Sequence, residues 1–189
     1  MNRMKGALSL VILISVVTYC QPKLDLGAPL PIGGDFSYPD KSGKMVSLKD
    51  FSEPVLLVFF GYTQCPDFCP NMLSKIKLAQ SHLPSETKKS FRTIFISIDP
   101  VRDGSDVVQK YVEFYLDSSN GYSFPSEITA KLVKQYAAYV AETKDGSTID
   151  HSTYVYVLDK NRKTRVLLKS TDTAEHFADT IKLLSSDSI

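Results

Sequence analysis

Apolar residues change their spacing several times along this chain, and each change marks an element. The run PVLLVFF (54–60), closed by Gly61, contains no polar position. Such a run predicts a strand buried on both faces, at the centre of a sheet with helices on either side. From Met72 the period lengthens. Met72, Leu73, Ile76, Ala79 and Leu83 fall at helical spacing, which predicts a helix from about Pro70 to Leu83. RTIFISIDP (92–100) is a second apolar strand, and SDVVQKYVEFYL (105–116) behind it predicts a helix capped by Ser105 or Asp106. ITAKLVKQYAAYVAE (128–142) predicts another helix, and STYVYVLDKNRKTRVLLKS (152–170) two alternating strands around the turn DKNRK. TAEHFADTIKLL (173–184) predicts a last amphipathic helix on Ala174, Phe177, Ala178, Ile181 and Leu184. Ahead of all these, DFSYPDKSGKMVSLKDF (35–51) predicts a β-hairpin with its glycine in the turn.

Two βα units, then a helix, an antiparallel hairpin and a final helix describe a thioredoxin-like α/β sandwich: a central mixed sheet flanked by helices, with an additional N-terminal β-hairpin. In that architecture the turn leaving the first central strand lies at the carboxyl edge of the sheet, where open α/β folds place their ligands. The sequence there is GYTQCPDFCP (61–70), with Cys65 and Cys69 on the turn.

Composition narrows the class. The chain has 189 residues, 43% hydrophobic and 23% charged, enough for one well-cored domain. Lys and Arg number 22 against 21 Asp and Glu, so no global field draws the chain to nucleic acid. The beginning reads differently: two basic side chains in MNRMK, then an uncharged stretch to Cys20. That is a signal-peptide layout over residues 1–19, too short to span a bilayer of about 30 Å. A cysteine at its end resembles the bacterial lipobox, although Tyr19 stands where a small residue is usual, and predicts lipidation at Cys20. Residues 20–34, rich in Pro and Gly, then form a tether, and 35–189 the domain, an exported, membrane-anchored lipoprotein facing the periplasm. Removing Arg3 and Lys5 with the signal turns the net charge from +1 to −1.

With Cys20 assigned to lipid, two of the three cysteines remain as a local pair, which in an oxidising compartment closes into a disulfide unless reduced or occupied. At i and i+4 on a first helical turn, both sulfurs point at one spot, and the helix N-terminus favours thiolate. Thiolates serve redox exchange and metal binding alike. The wider spacing than in an i, i+3 redox pair suits a bridging soft ion, Cu(I) above all, with Zn(II) as competitor. Of the three histidines, His82 reads as a helix C-cap and His176 as a solvated side chain. His151 precedes the strand that follows it, in the loop a thioredoxin-like fold brings against the cysteine turn. It completes an S₂N set suited to Cu(I) and tolerant of Cu(II), or else it bonds a neighbouring backbone carbonyl.

GYTQCPDFCP, ISIDPVRD (96–103) and IDHSTYVYVLD (149–159), in this order, resemble the Sco (SenC) family of copper proteins serving cytochrome c oxidase assembly, over roughly residues 30–185. The resemblance implies a membrane-anchored, thioredoxin-like metallochaperone that binds copper through Cys65, Cys69 and His151. It implies delivery of copper to, or reduction of the cysteines of, the binuclear copper site in an oxidase subunit, with copper donor and thiol reductant proteins as further partners. Asp99 and Asp103 match the family's acidic positions near the site, orienting the histidine or a partner. Gln64 and Val101 depart from residues common in the family, which bears on partner choice. An exported thiol-disulfide oxidoreductase using Cys65 and Cys69 without a metal is the alternative. A peroxiredoxin-like enzyme fits less well, because Thr63 lies two residues before Cys65 rather than three.

Overall fold

An apolar run without alternation needs cover on both faces, and the run at 55–61 lies in the middle of the sheet. The computed structural model describes residues 26–143 and 148–186. In chain order it contains β1 (Ser37–Pro39), β2 (Met45–Ser47), β3 (Val55–Gly61), α1 (Phe68–Ser81), β4 (Phe91–Ser97), α2 (Ser105–Tyr115), β5 (Ser119–Tyr122), α3 (Ser126–Gln135), β6 (Val140–Glu142), β7 (Ile149–His151), β8 (Val155–Leu158), β9 (Thr164–Leu168) and α4 (Ala174–Ser185). The main sheet runs β5-β4-β3-β8-β9. β3 pairs parallel with β4 from Val55↔Phe91 to Gly61↔Ser97 and antiparallel with β8, so it is central, and every one of its residues is buried. This is the thioredoxin-like α/β arrangement, with β1 and β2 forming the extra N-terminal hairpin.

Several elements differ from the sequence reading. α1 begins at Phe68 rather than Pro70. α2 is preceded by Gly104 at its cap, with neither Ser105 nor Asp106 in that role. β8 is buried throughout instead of alternating, so both faces of the sheet are covered where it lies beside β3. The predicted helix over 128–142 stops at Gln135: Ala137 adopts φ 50°, and the Ala138 N–H returns to the Val133 carbonyl at 2.9 Å, a left-handed helix stop without glycine. The remainder becomes β6, which pairs only with β7 in a separate two-stranded sheet, Val140 opposite His151. β5, polar and four residues long, extends the parallel part of the main sheet.

Residues 26–34, read from the sequence as tether, are sewn to the domain. Leu30 N–H donates to the Thr164 carbonyl, Gly33 N–H to that of Gln135, and the Tyr136 hydroxyl to that of Gly34. The signal segment and Cys20 lie outside the described residues. Among the described residues no helix is long and apolar enough to cross a membrane.

Candidate metal centre

β3 delivers the chain to the carboxyl edge of the sheet at Gly61, and a tight turn follows, closed by Cys65 N–H to the Tyr62 carbonyl at 3.2 Å. Cys65 lies in that turn and Cys69 in the first turn of α1, so the two do not share a helical turn as their spacing suggested. Their convergence has another cause. Backbone N–H groups at a helix start lack intrahelical partners, and that of Cys69 points back at Cys65 Sγ, 3.4 Å away. Gly61 makes room beneath them: a Cβ there would stand 2.6 Å from Cys69 Sγ and 2.9 Å from the Phe95 ring. Any side chain at position 61 would displace the sulfur.

The turn is fastened from below by Asp103, which is 1% exposed. Its carboxylate accepts the Thr63 N–H at 3.0 Å, the Thr63 hydroxyl at 2.6 Å and the Ser97 hydroxyl at 2.6 Å. Asp99 instead holds the Arg102 guanidinium, which lies over the Tyr62 ring, 5.8 Å from its centroid. Neither carboxylate bonds His151. Of the two roles expected for Asp99 and Asp103, orienting the histidine or a partner, the first is not made by direct contact; the two carboxylates support the cysteine turn and its aromatic neighbour.

His151 is the last residue of β7, a strand end rather than the loop position predicted. Its Nδ1 stands 2.8 Å from the Ser152 carbonyl, which only accepts, so Nδ1 carries the proton and Nε2 presents its lone pair. Nε2 is 3.8 Å from Cys69 Sγ. The carbonyl bond and the ligand role, alternatives in the sequence, thus fall to the two nitrogens of one ring. The ligand atoms of Cys65, Cys69 and His151 all lie within 4.8 Å of one another. His82 ends α1 facing Glu175, and His176 sits in the first turn of α4; neither joins the cluster.

Both sulfurs are unbridged. The Cys69 S–H directed at Cys65 holds the Cys65 thiol far below its ordinary range, and that same bond together with burial pushes Cys69 up. Of the reduced pair Cys65 is therefore the more readily ionised, and it lines a cleft of about 440 Å³ with Tyr62, Phe68, Tyr139, Asp150 and His151. Tyr62 and Arg102 did not stand out in the sequence; the signal available was a phenol directly after the central strand, inside the cysteine motif.

The family model SCO1/SenC matches residues 25–186. Protein sco1 of Schizosaccharomyces pombe is 30% identical over 162 residues, 82% of this chain and 61% of the relative, so the chain spans about three fifths of that protein's length. The structure of Bradyrhizobium japonicum ScoI with copper bound superposes with a TM-score of 0.69 at 32% identity, covering 81% of this chain and 99% of that one. BsSco, a member of the Sco family of cytochrome c oxidase assembly proteins in which a disulfide switch was identified, gives 0.66 at 21% identity, covering 85% and 98%. At that identity it speaks for the fold.

Proposed function

Since the chain belongs to the SCO1/SenC family, we propose that it is a copper-carrying assembly factor that delivers copper to the binuclear copper site of a cytochrome c oxidase subunit or reduces the cysteines of that site. The observation that carries this reading is the convergence of two sulfurs and one imidazole nitrogen within 4.8 Å. Two soft thiolates and a neutral imidazole favour Cu(I) and tolerate Cu(II). The ring presents Nε2 toward the sulfurs while Nδ1 is bonded to the Ser152 carbonyl, and of the two thiols Cys65 is the more readily ionised, so Cys69 is the thiol that holds its proton longer when metal enters. Cys65 lines the open cleft while Cys69 is fully buried, so incoming partner thiolates meet the cargo from the Cys65 and His151 side and Cys69 lets go last. Export and anchoring through Cys20, facing the periplasm, complete the reading, with copper donor and thiol reductant proteins as partners. The test is a copper titration of His151→Ala beside the unaltered chain. Affinity is expected to fall about tenfold or more, with a changed Cu(II) spectrum; identical affinity and spectrum would overturn the three-ligand copper site and favour the thiol-disulfide reading.

The asymmetry of the pair favours a second activity at the same site, thiol-disulfide exchange. The Cys65 thiolate attacks one sulfur of a partner disulfide, forming a mixed disulfide and releasing the other partner sulfur as thiolate. Cys69 then gives up its proton and attacks Cys65 Sγ. This closes the Cys65–Cys69 bond, frees the second partner thiolate and leaves two electrons on the partner. An exported dithiol reductant resets the pair. This exchange needs no imidazole, so His151→Ala separates the two activities.

A further inference from the structure

Among the described residues β6 and β7 pair with each other and with no other strand, so something outside the ladder has to fix the height of His151 over the sulfurs. In an antiparallel pair every second N–H points away from the partner strand. Here the inward bonds are made at Thr143 to Thr148 and at Ser152 to Tyr139, which leaves Ile149 N–H directed outward. It donates to the Tyr62 hydroxyl at 3.2 Å. Tyr62 is 1% exposed and is held on its other sides as well: the Arg102 guanidinium, itself pinned by Asp99, covers its ring, and the His151 ring meets its edge with centroids 5.9 Å apart. One phenol therefore touches the cysteine turn by its backbone, β7 by its hydroxyl and the ligand ring by its edge.

We propose that Tyr62 is a positioning residue for the third ligand: its hydroxyl ties β7 to the cysteine turn and so sets the distance from the His151 ring to the two sulfurs. The claim that this position serves metal binding rests on the copper reading above; the tie itself does not. Asp99 and Arg102 act through the same ring, which gives the acidic residue at the end of β4 a part in the site without any contact to the histidine.

The experiment is Tyr62→Phe in the full chain, a change that removes one oxygen and keeps the ring. In metal-free protein, amide exchange at Ile149 is expected to quicken roughly fivefold or more, while amides of β3 and β4 stay protected. With copper as the sole added metal, one ion per chain still binds, about tenfold more weakly, and the Cu(II) absorption maximum moves. Unchanged exchange at Ile149 would overturn the proposal, and so would quickened exchange with copper affinity and spectrum identical to the unaltered chain. Exchange raised equally in β3 and β4, with the spectrum of bound copper unaltered, also counts against it, since that is mere loss of stability. If His151→Ala binds copper as the unaltered chain does, His151 is no ligand and the three-donor copper site fails. The Ile149 exchange in metal-free protein then still decides by itself whether Tyr62 anchors β7.

Discussion

The cysteine turn and the β6–β7 hairpin supply one site from two unequal foundations. The turn grows directly out of the central strand β3 and is bonded through Asp103 to the end of β4, so the spacing of the sulfurs is a property of the core. The hairpin consists of two three-residue strands outside the main sheet, and the imidazole is placed by a handful of contacts. Damage to the first foundation costs both fold and site. Damage to the second costs the site alone. The difference teaches where a metal-carrying domain keeps its stability and where it keeps its adjustable ligand.

The largest test of that contrast is Asp103→Ala. It leaves a backbone N–H and two hydroxyls without their acceptor at a buried position, for an expected loss of about 3 kcal/mol. Urea unfolding checks this, with a lower midpoint and an unchanged slope, and Asp103→Asn is expected to retain roughly half of the loss-making bonds and so to fall between. A loss below about 0.5 kcal/mol for Asp103→Ala would erase the distinction between the two regions.

His151→Ala sharpens the comparison from the other side. The same urea experiment is expected to give a stability within about 0.5 kcal/mol of the unaltered chain, although copper affinity drops tenfold or more. Substantial destabilisation there would mean the hairpin belongs to the core after all.

The smallest expected effect is a near-constancy. With the Cys65 thiol held far below its ordinary range, its alkylation rate in the reduced, metal-free chain is expected to change by less than about twofold from pH 6 to 8, where an ordinary thiol of pKa about 8.5 changes by roughly 75-fold. Cys69→Ala removes the S–H donor and restores a steep rise. The signs for stability are opposite within the pair. Cys65 is lowered, so its contribution is complete only above its unfolded value of about 8.5 and shrinks as pH falls toward the folded value. Cys69 is raised, so its contribution is complete below about 8.5 and is lost as pH rises through the folded value. The reduced pair therefore supports folding most strongly near pH 8.5. A thermal midpoint followed across pH 6 to 10 checks the position of that maximum.

Much of the fold was legible because β3 is a continuous apolar run, β4 carries a largely apolar stretch behind it, and α1, α2 and α4 carry clear helical stripes. The short strands were not. β5 reads Ser-Asn-Gly-Tyr and owes its existence to the open edge of β4 beside it. The stop after α3 was hidden because Ala137, with no glycine or asparagine to announce it, takes the left-handed conformation while apolar residues continue beyond at helical spacing. Losing that stop meant losing β6, and with it the strand character of His151. The proposed ligands were legible by type, as a soft pair and an isolated imidazole, and the family resemblance joined them. Tyr62 was not, because a phenol after a buried strand reads as packing until the N–H it accepts is known.

By itself the sequence determined the layered α/β core, the placing of two thiols where the first central strand ends, and the one histidine that is neither a helix cap nor on a solvated helix face. Those are consequences of local periodicity, turn chemistry and composition. Tertiary structure decided which sulfur keeps the proton, which ring nitrogen is free, and that a glycine, a buried carboxylate and one phenol hold the three donors together. The buried carboxylate and the phenol act on residues 40 and 87 positions away, and even the local contacts within the cysteine turn and at His151 take their geometry only once the chain has closed around its core.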